Sequence, residues 1–154
     1  METKEETDMC RSASKIRVPD KDPITPVEAA KALCLSVADV YRLIYEGKFG
    51  AFNIASDSAK IAMFRIPLKN FVQYINGIYS DELLFRFPAA NPLSPGRIAK
   101  ALQCSDQHIY NQIRDGEFPN AINLARKDSI RSEWKIPLCD LVAYVNRRRE
   151  GAFQ

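Results

Sequence analysis

A single histidine and four cysteines are nearly all the soft metal-binding chemistry this chain offers. None of the cysteines (Cys10, Cys34, Cys104, Cys139) stands in a Cys-x-x-Cys pair. A zinc site therefore lacks its ligand spacing, and no metal or other cofactor is expected. With 46% apolar residues available for a core, a disulfide framework is not needed either. Cys34, Cys104 and Cys139 read as small buried thiols in a reducing compartment. No apolar run approaches the roughly 20 residues of a membrane span, and the opening METKEETDMC lacks the hydrophobic segment of a secretory signal. A soluble cytoplasmic protein is expected. Glycine-rich phosphate loops and nucleophile–base pairs are also missing, so an enzyme is not expected. Neither charge sign dominates: 22 Lys and Arg against 19 Asp and Glu leave +3, which permits phosphate binding without requiring it.

What the chain does have is an internal duplication. Residues 25–49 laid over 94–118 match at about ten positions, including Pro26/Pro95, an Ala-Lys-Ala-Leu run, Ser36/Ser105, Tyr41/Tyr110, Ile44/Ile113 and Gly47/Gly116. After a one-residue shift the match resumes, with FNIA (52–55) over INLA (122–125) and RIPLKNFVQYIN (65–76) over KIPLCDLVAYVN (135–146). Four segments follow: a disordered charged tail (1–22), repeat 1 (23–76), an apolar linker (77–92), and repeat 2 with a basic C-terminus (93–154). The linker carries Ile78, Tyr79, Leu83, Leu84, Phe85 and Phe87, too many apolar side chains for a free spacer. It is expected to pack on a repeat or on a partner chain.

Each repeat reads as helix, helix, hairpin, helix. Thr25 and Ser94 are N-caps followed by proline at the first helical position. Glu28 completes a capping box that Arg97 cannot. Ser36 and Ser105 cap a second helix, whose buried stripe is expected to be Val40, Tyr41 and Ile44 in one copy and Ile109, Tyr110 and Ile113 in the other. Gly47 and Gly116 supply left-handed stops. In the second hairpin Ile130, Trp134 and Ile136 are expected on one face of a strand and Arg131, Glu133 and Lys135 on the other. The last helices present Leu68, Phe71, Val72 and Ile75, and Leu138, Leu141, Val142 and Val145, to the core. The fold class is thus mainly α with small β-hairpin wings: two tandem winged helix-turn-helix domains.

The pattern of both repeats resembles the excisionase and MerR-like superfamily of winged helix-turn-helix domains, and repeat 2, from IYNQIRDGEFPNAINLARK to the Trp-bearing strand, is particularly similar to its AlpA-type branch. The resemblance implies that the second helix enters the major groove of duplex DNA while the wing contacts backbone or minor groove.

The exposed positions of that helix are then Gln107, His108, Asn111 and Arg114, suited to adenine, guanine and phosphate contacts. Arg126, Lys127 and Arg131 would reach phosphates from the wing, and Arg147, Arg148 and Arg149 extend the charge. Repeat 1 offers only Arg42, Lys60 and Arg65 among Ala38, Asp39, Tyr45 and the Ser56-Asp57-Ser58 loop. Ile61 and Met63 take the outward places of Arg131 and Glu133, an apolar pair suited to contact with the linker or another chain. The expected function is DNA binding, as a transcription regulator or an excisionase-like recombination or architectural factor. Repeat 1 and the linker would orient the reader, form a homodimer or hold a protein partner. The competing reading is a protein–protein adaptor on the same scaffold.

Overall fold

Residues 16–78, 82–128 and 130–150 are described in a computed structural model of the chain. Residues 1–15 of the charged tail, with Cys10, Tyr79 of the linker, and the last four residues lie outside them. The described residues are mainly helical, with six helices and short antiparallel strands. They form two units. One runs through Arg86 and includes the late strand at Arg149–Glu150; the other is Phe87–Arg148.

Unit 1 contains α1 (Pro26–Leu33), α2 (Val37–Tyr45), β1 (Ala51–Asn53), β2 (Phe64–Arg65) and α3 (Leu68–Ile75). Thr25 and Glu28 form the capping box, the Thr25 amide donating to Glu28 Oε1 at 2.9 Å and the Glu28 amide to Thr25 Oγ1 at 3.2 Å. α1 ends on Cys34, held in the left-handed region at φ 55°. Ile24, Val40, Ile44, Phe64, Ile66 and Phe71 make the core, each large apolar side chain contributing roughly 1.5–3 kcal/mol on burial. Tyr41 and Tyr45 both set an edge against Phe64, with centroids 5.5 Å apart.

Unit 2 repeats the order with α4 (Pro95–Leu102), α5 (Asp106–Arg114), β3 (Ile122–Asn123), β4 (Trp134–Lys135) and α6 (Leu138–Arg147). Ser94 caps α4 alone, accepting from the Arg97 amide at 3.2 Å, with no reciprocal bond. In both units the third helix has a proline at its N-cap and takes its cap from far upstream. Asp22 Oδ1 accepts the Leu68 amide and Asn91 Oδ1 the Leu138 amide, each at 3.0 Å. Composition grouped Asp22 with the tail and Asn91 with the linker; each closes its unit around a bridge, Ile24 to Ile66 or Leu93 to Ile136.

One helical position separates the units. Asn70 on α3 grips the linker, donating to the Glu82 carbonyl at 2.9 Å and accepting the Leu84 amide at 2.7 Å. Phe85 is thereby buried edge-on against Phe52. Gly50 packs closely there: a Cβ would lie 3.0 Å from Leu83 Cδ1 and 3.1 Å from Asn70 Nδ2, and both side chains would have to give. The matching Asp140 on α6 instead accepts the amide and side chain of Asn120, both at 2.8 Å. Asn120 belongs to the segment that is one residue longer in repeat 2. The outer edge of β1 carries β5 (Arg149–Glu150), antiparallel, with Phe52 opposite Arg149. The order is β2-β1-β5 in one unit and β3-β4 in the other.

The cysteines depart from expectation. Cys34 and Cys139 are exposed and Cys104 half-buried. Cys34 is disulfide-bonded, whereas Cys104 and Cys139 are in no disulfide. A helix end and an exposed face, not the core, hold them.

Candidate nucleic-acid interface

α5 begins at Ser105, whose Oγ accepts the His108 amide at 3.1 Å. The helix buries Ile109, Gln112 and Ile113. Tyr110, expected in that stripe, is 37% exposed, while Gln112 is fully buried with neither amide atom hydrogen-bonded among the described residues. The spacing i, i+3, i+4 holds; a polar residue occupies the i+3 place and disguised it. Gln107 and Arg114 are exposed, and His108 and Asn111 are half-buried. Gln107 Nε2 donates to Asn111 Oδ1 at 3.0 Å, which joins the two amides along the helix. Arg114 lies 3.9 Å from Asp115 and remains largely exposed.

Between β3 and β4 the chain forms a hairpin loop, and Asn123 shapes it. Its Oδ1 accepts the Ala125 amide at 3.0 Å and the Glu133 amide at 2.9 Å, tying the two ends of the loop together. Asn53 does the same in unit 1 for Ala55 and Met63. Sequence reasoning assigned these asparagines no role, although both stand at the same place in the aligned FNIA and INLA blocks. Arg126 and Arg131 line one shallow depression with Leu124 and Glu133. Arg126 and Lys127 are exposed, and neither is tied to a carboxylate among the described residues. The strand does not reach Ile130, as alternation had suggested: pairing stops at Trp134, and Ile130 is completely exposed in the loop.

The arginine triplet is not a free basic tail. Arg147 Nη2 donates to the Glu117 carbonyl at 2.7 Å and to Glu117 Oε1 at 3.3 Å, and Arg148 Nη2 donates to Glu117 Oε2. Arg148 also stacks 5.2 Å over the Tyr144 ring. Burial in turn pushes the Tyr144 phenol well above its ordinary range. Arg149 lies in β5 with its Nε and Nη2 enclosed. Glu117 is the residue missed here; Lys48 at the matching place in repeat 1 gave no hint of it.

Unit 1 presents a different surface at the corresponding places. For Gln107, His108, Asn111, Arg114, Arg126, Lys127 and Arg131 it has Ala38, Asp39, Arg42, Tyr45, Ser56, Asp57 and Ile61. Four cations thus face one cation and two carboxylates. Arg42 is 3.3 Å from Asp39. Lys60 is exposed. Arg65, counted from sequence among the nearby charges, is only 8% exposed, with Nη1 bonded to the Phe64 carbonyl. Ile61 and Tyr45 are 76% and 60% exposed, while Met63 is half-buried.

Among the described residues no group of three or more His, Cys, Asp and Glu side chains is placed to hold a metal ion. No helix among the described residues is long and apolar enough to cross a membrane. In comparisons with known proteins the chain matches no family model, no curated protein and no solved structure.

Proposed function

We propose that unit 2 binds duplex DNA as a winged helix-turn-helix domain, with α5 in the major groove and the hairpin loop as its wing. The supporting observation is the contrast between the two repeats. On one scaffold, the positions that would face DNA carry Gln107, Asn111, Arg114, Arg126, Lys127 and Arg131 in unit 2, with four cations, and Ala38, Arg42, Tyr45, Ser56, Asp57 and Ile61 in unit 1, with one. A hydrogen-bonded amide pair suits base edges, and exposed cations suit phosphates. Unit 1 then supports and orients the reader. In this reading the protein is a transcription regulator or an excisionase-like architectural factor.

The test is a salt titration of binding to a mixed-sequence duplex. Wild type binds with an affinity that falls steeply with salt. Arg126→Ala/Lys127→Ala flattens the slope of log K against log salt by roughly 2, the loss of two phosphate contacts. Arg42→Ala leaves that slope unchanged. Absence of binding at low salt refutes the proposal and turns the search to protein partners.

A further inference from the structure

The same hairpin loop holds a side chain that phosphate contact does not use. Ile130 is 101% exposed, the most exposed large apolar residue described, so it contributes nothing to its own core. Single exposed apolar residues are common on protein surfaces, but this one is set among cations. Arg131 follows it, and Arg126 and Lys127 stand on the other limb of the loop, with Arg126 and Arg131 lining one depression. Asp128 and Glu133 offset part of that charge, leaving the loop and β4 with Arg126, Lys127, Arg131 and Lys135 against two carboxylates. The matching residue in unit 1 is Lys60, beside Asp57 and Ile61; the arrangement belongs to unit 2 alone.

We infer that Ile130 is an apolar wedge that enters the minor groove between base steps and bends the duplex, while Arg126, Lys127 and Arg131 hold the flanking phosphates. The inference rests on the proposal that unit 2 binds DNA. A groove floor of stacked bases between two phosphate rows accepts one apolar side chain flanked by cations. A flexible TA or CA step yields most readily to it. An anionic lipid surface would also accept cations and an isoleucine, but it has no use for the Gln107–Asn111 amide pair on α5 of the same unit.

The experiment uses the full chain and a duplex of about 30 base pairs, labelled at its ends with donor and acceptor and carrying 2-aminopurine at a central TA step. Wild type is expected to bend the duplex by about 20–90° and to raise 2-aminopurine emission as the step unstacks. Ile130→Ala abolishes both signals and keeps the wild-type salt slope; Ile130→Met retains both. Unchanged Trp134 emission shows that the variants fold. If Ile130→Ala bends DNA like wild type, or if wild type binds without bending, the wedge is wrong and DNA binding stands. If wild type binds no duplex at low salt, both fall. Phosphatidylglycerol vesicles supply the last arm: Ile130-dependent binding to them without duplex bending overturns the wedge in favour of lipid.

Discussion

Replacing Asn123 by alanine removes a single acceptor atom that closes the unit 2 hairpin loop at both ends. Two hydrogen bonds are lost, from the Ala125 and Glu133 amides at 3.0 and 2.9 Å. At roughly 0.5–1.5 kcal/mol net each, the sum lies between about 1 and 3 kcal/mol. Asn123 is exposed, so water takes over part of the bonding and the lower end applies, about 1 kcal/mol. With a urea dependence near 1 kcal/mol per molar for a unit of this size, the midpoint should fall by about 1 M. The chain supplies its own reporter: Trp134, its one tryptophan, sits directly opposite Asn123 in the β3–β4 register. Urea titrations followed by tryptophan emission therefore read unit 2. Asn123→Asp should restore the midpoint, since a carboxylate oxygen can accept both amides. Asn53→Ala, which opens the other loop, should leave Trp134 emission in the native state unchanged. A wild-type midpoint for Asn123→Ala, or an aspartate as damaging as alanine, would refute the argument that acceptance by Oδ1 holds the loop.

Glu117→Ala strips the counter-charge from Arg148, whose side chain is 10% exposed, and should destabilise unit 2 by on the order of 3 kcal/mol. Arg147→Ala, at a side chain 47% exposed, should cost less than about 1 kcal/mol; equal losses in urea titrations would contradict the assignment. Burial raises the Glu28 carboxyl, but bonds from the Thr25 amide, Lys21 and the Thr25 hydroxyl outweigh it and hold the group below its ordinary 4.5. A depressed folded value means the contribution is full above pH 4.5 and is lost as pH falls through the folded value. Glu28→Ala should therefore cost about 1 kcal/mol at neutral pH, with the gap to wild type shrinking at pH 3 in thermal unfolding.

The duplication made the element order legible, because two copies of one pattern filter out accidents of either. Thr25, Ser36, Ser94 and Ser105 cap where their hydroxyls predict, and Gly47 and Gly116 adopt φ 73° and 84°. Burial inside an element was harder to read. Gln112 hides in the core and Tyr110 does not, since polarity is a poor guide when a single helix turn must fill one remaining place. Tyr144 and Asp140 were likewise left out of the expected stripe of α6, yet both are buried. Contacts that depend on distant partners left no local signal at all: Asp22 and Asn91 capping helices beyond the hairpin, Glu117 collecting two arginines, and Asn70 holding the linker. The exposed polar face of α5 was legible from periodicity. The shape of the loop beside it was not, because it depends on one asparagine oxygen.

The antiparallel pairing of β5 with β1 also has a consequence for the order of synthesis. The sheet of unit 1 is β2-β1-β5, and its third strand is Arg149–Glu150, which follows the whole of unit 2 in the chain. Unit 2 therefore lies, along the chain, between two strands of one sheet. A ribosome releases Ala51 and Phe52 long before the strand that covers their outer edge. During that interval nascent unit 1 carries an open β edge that is covered only when Arg149–Glu150 has been made.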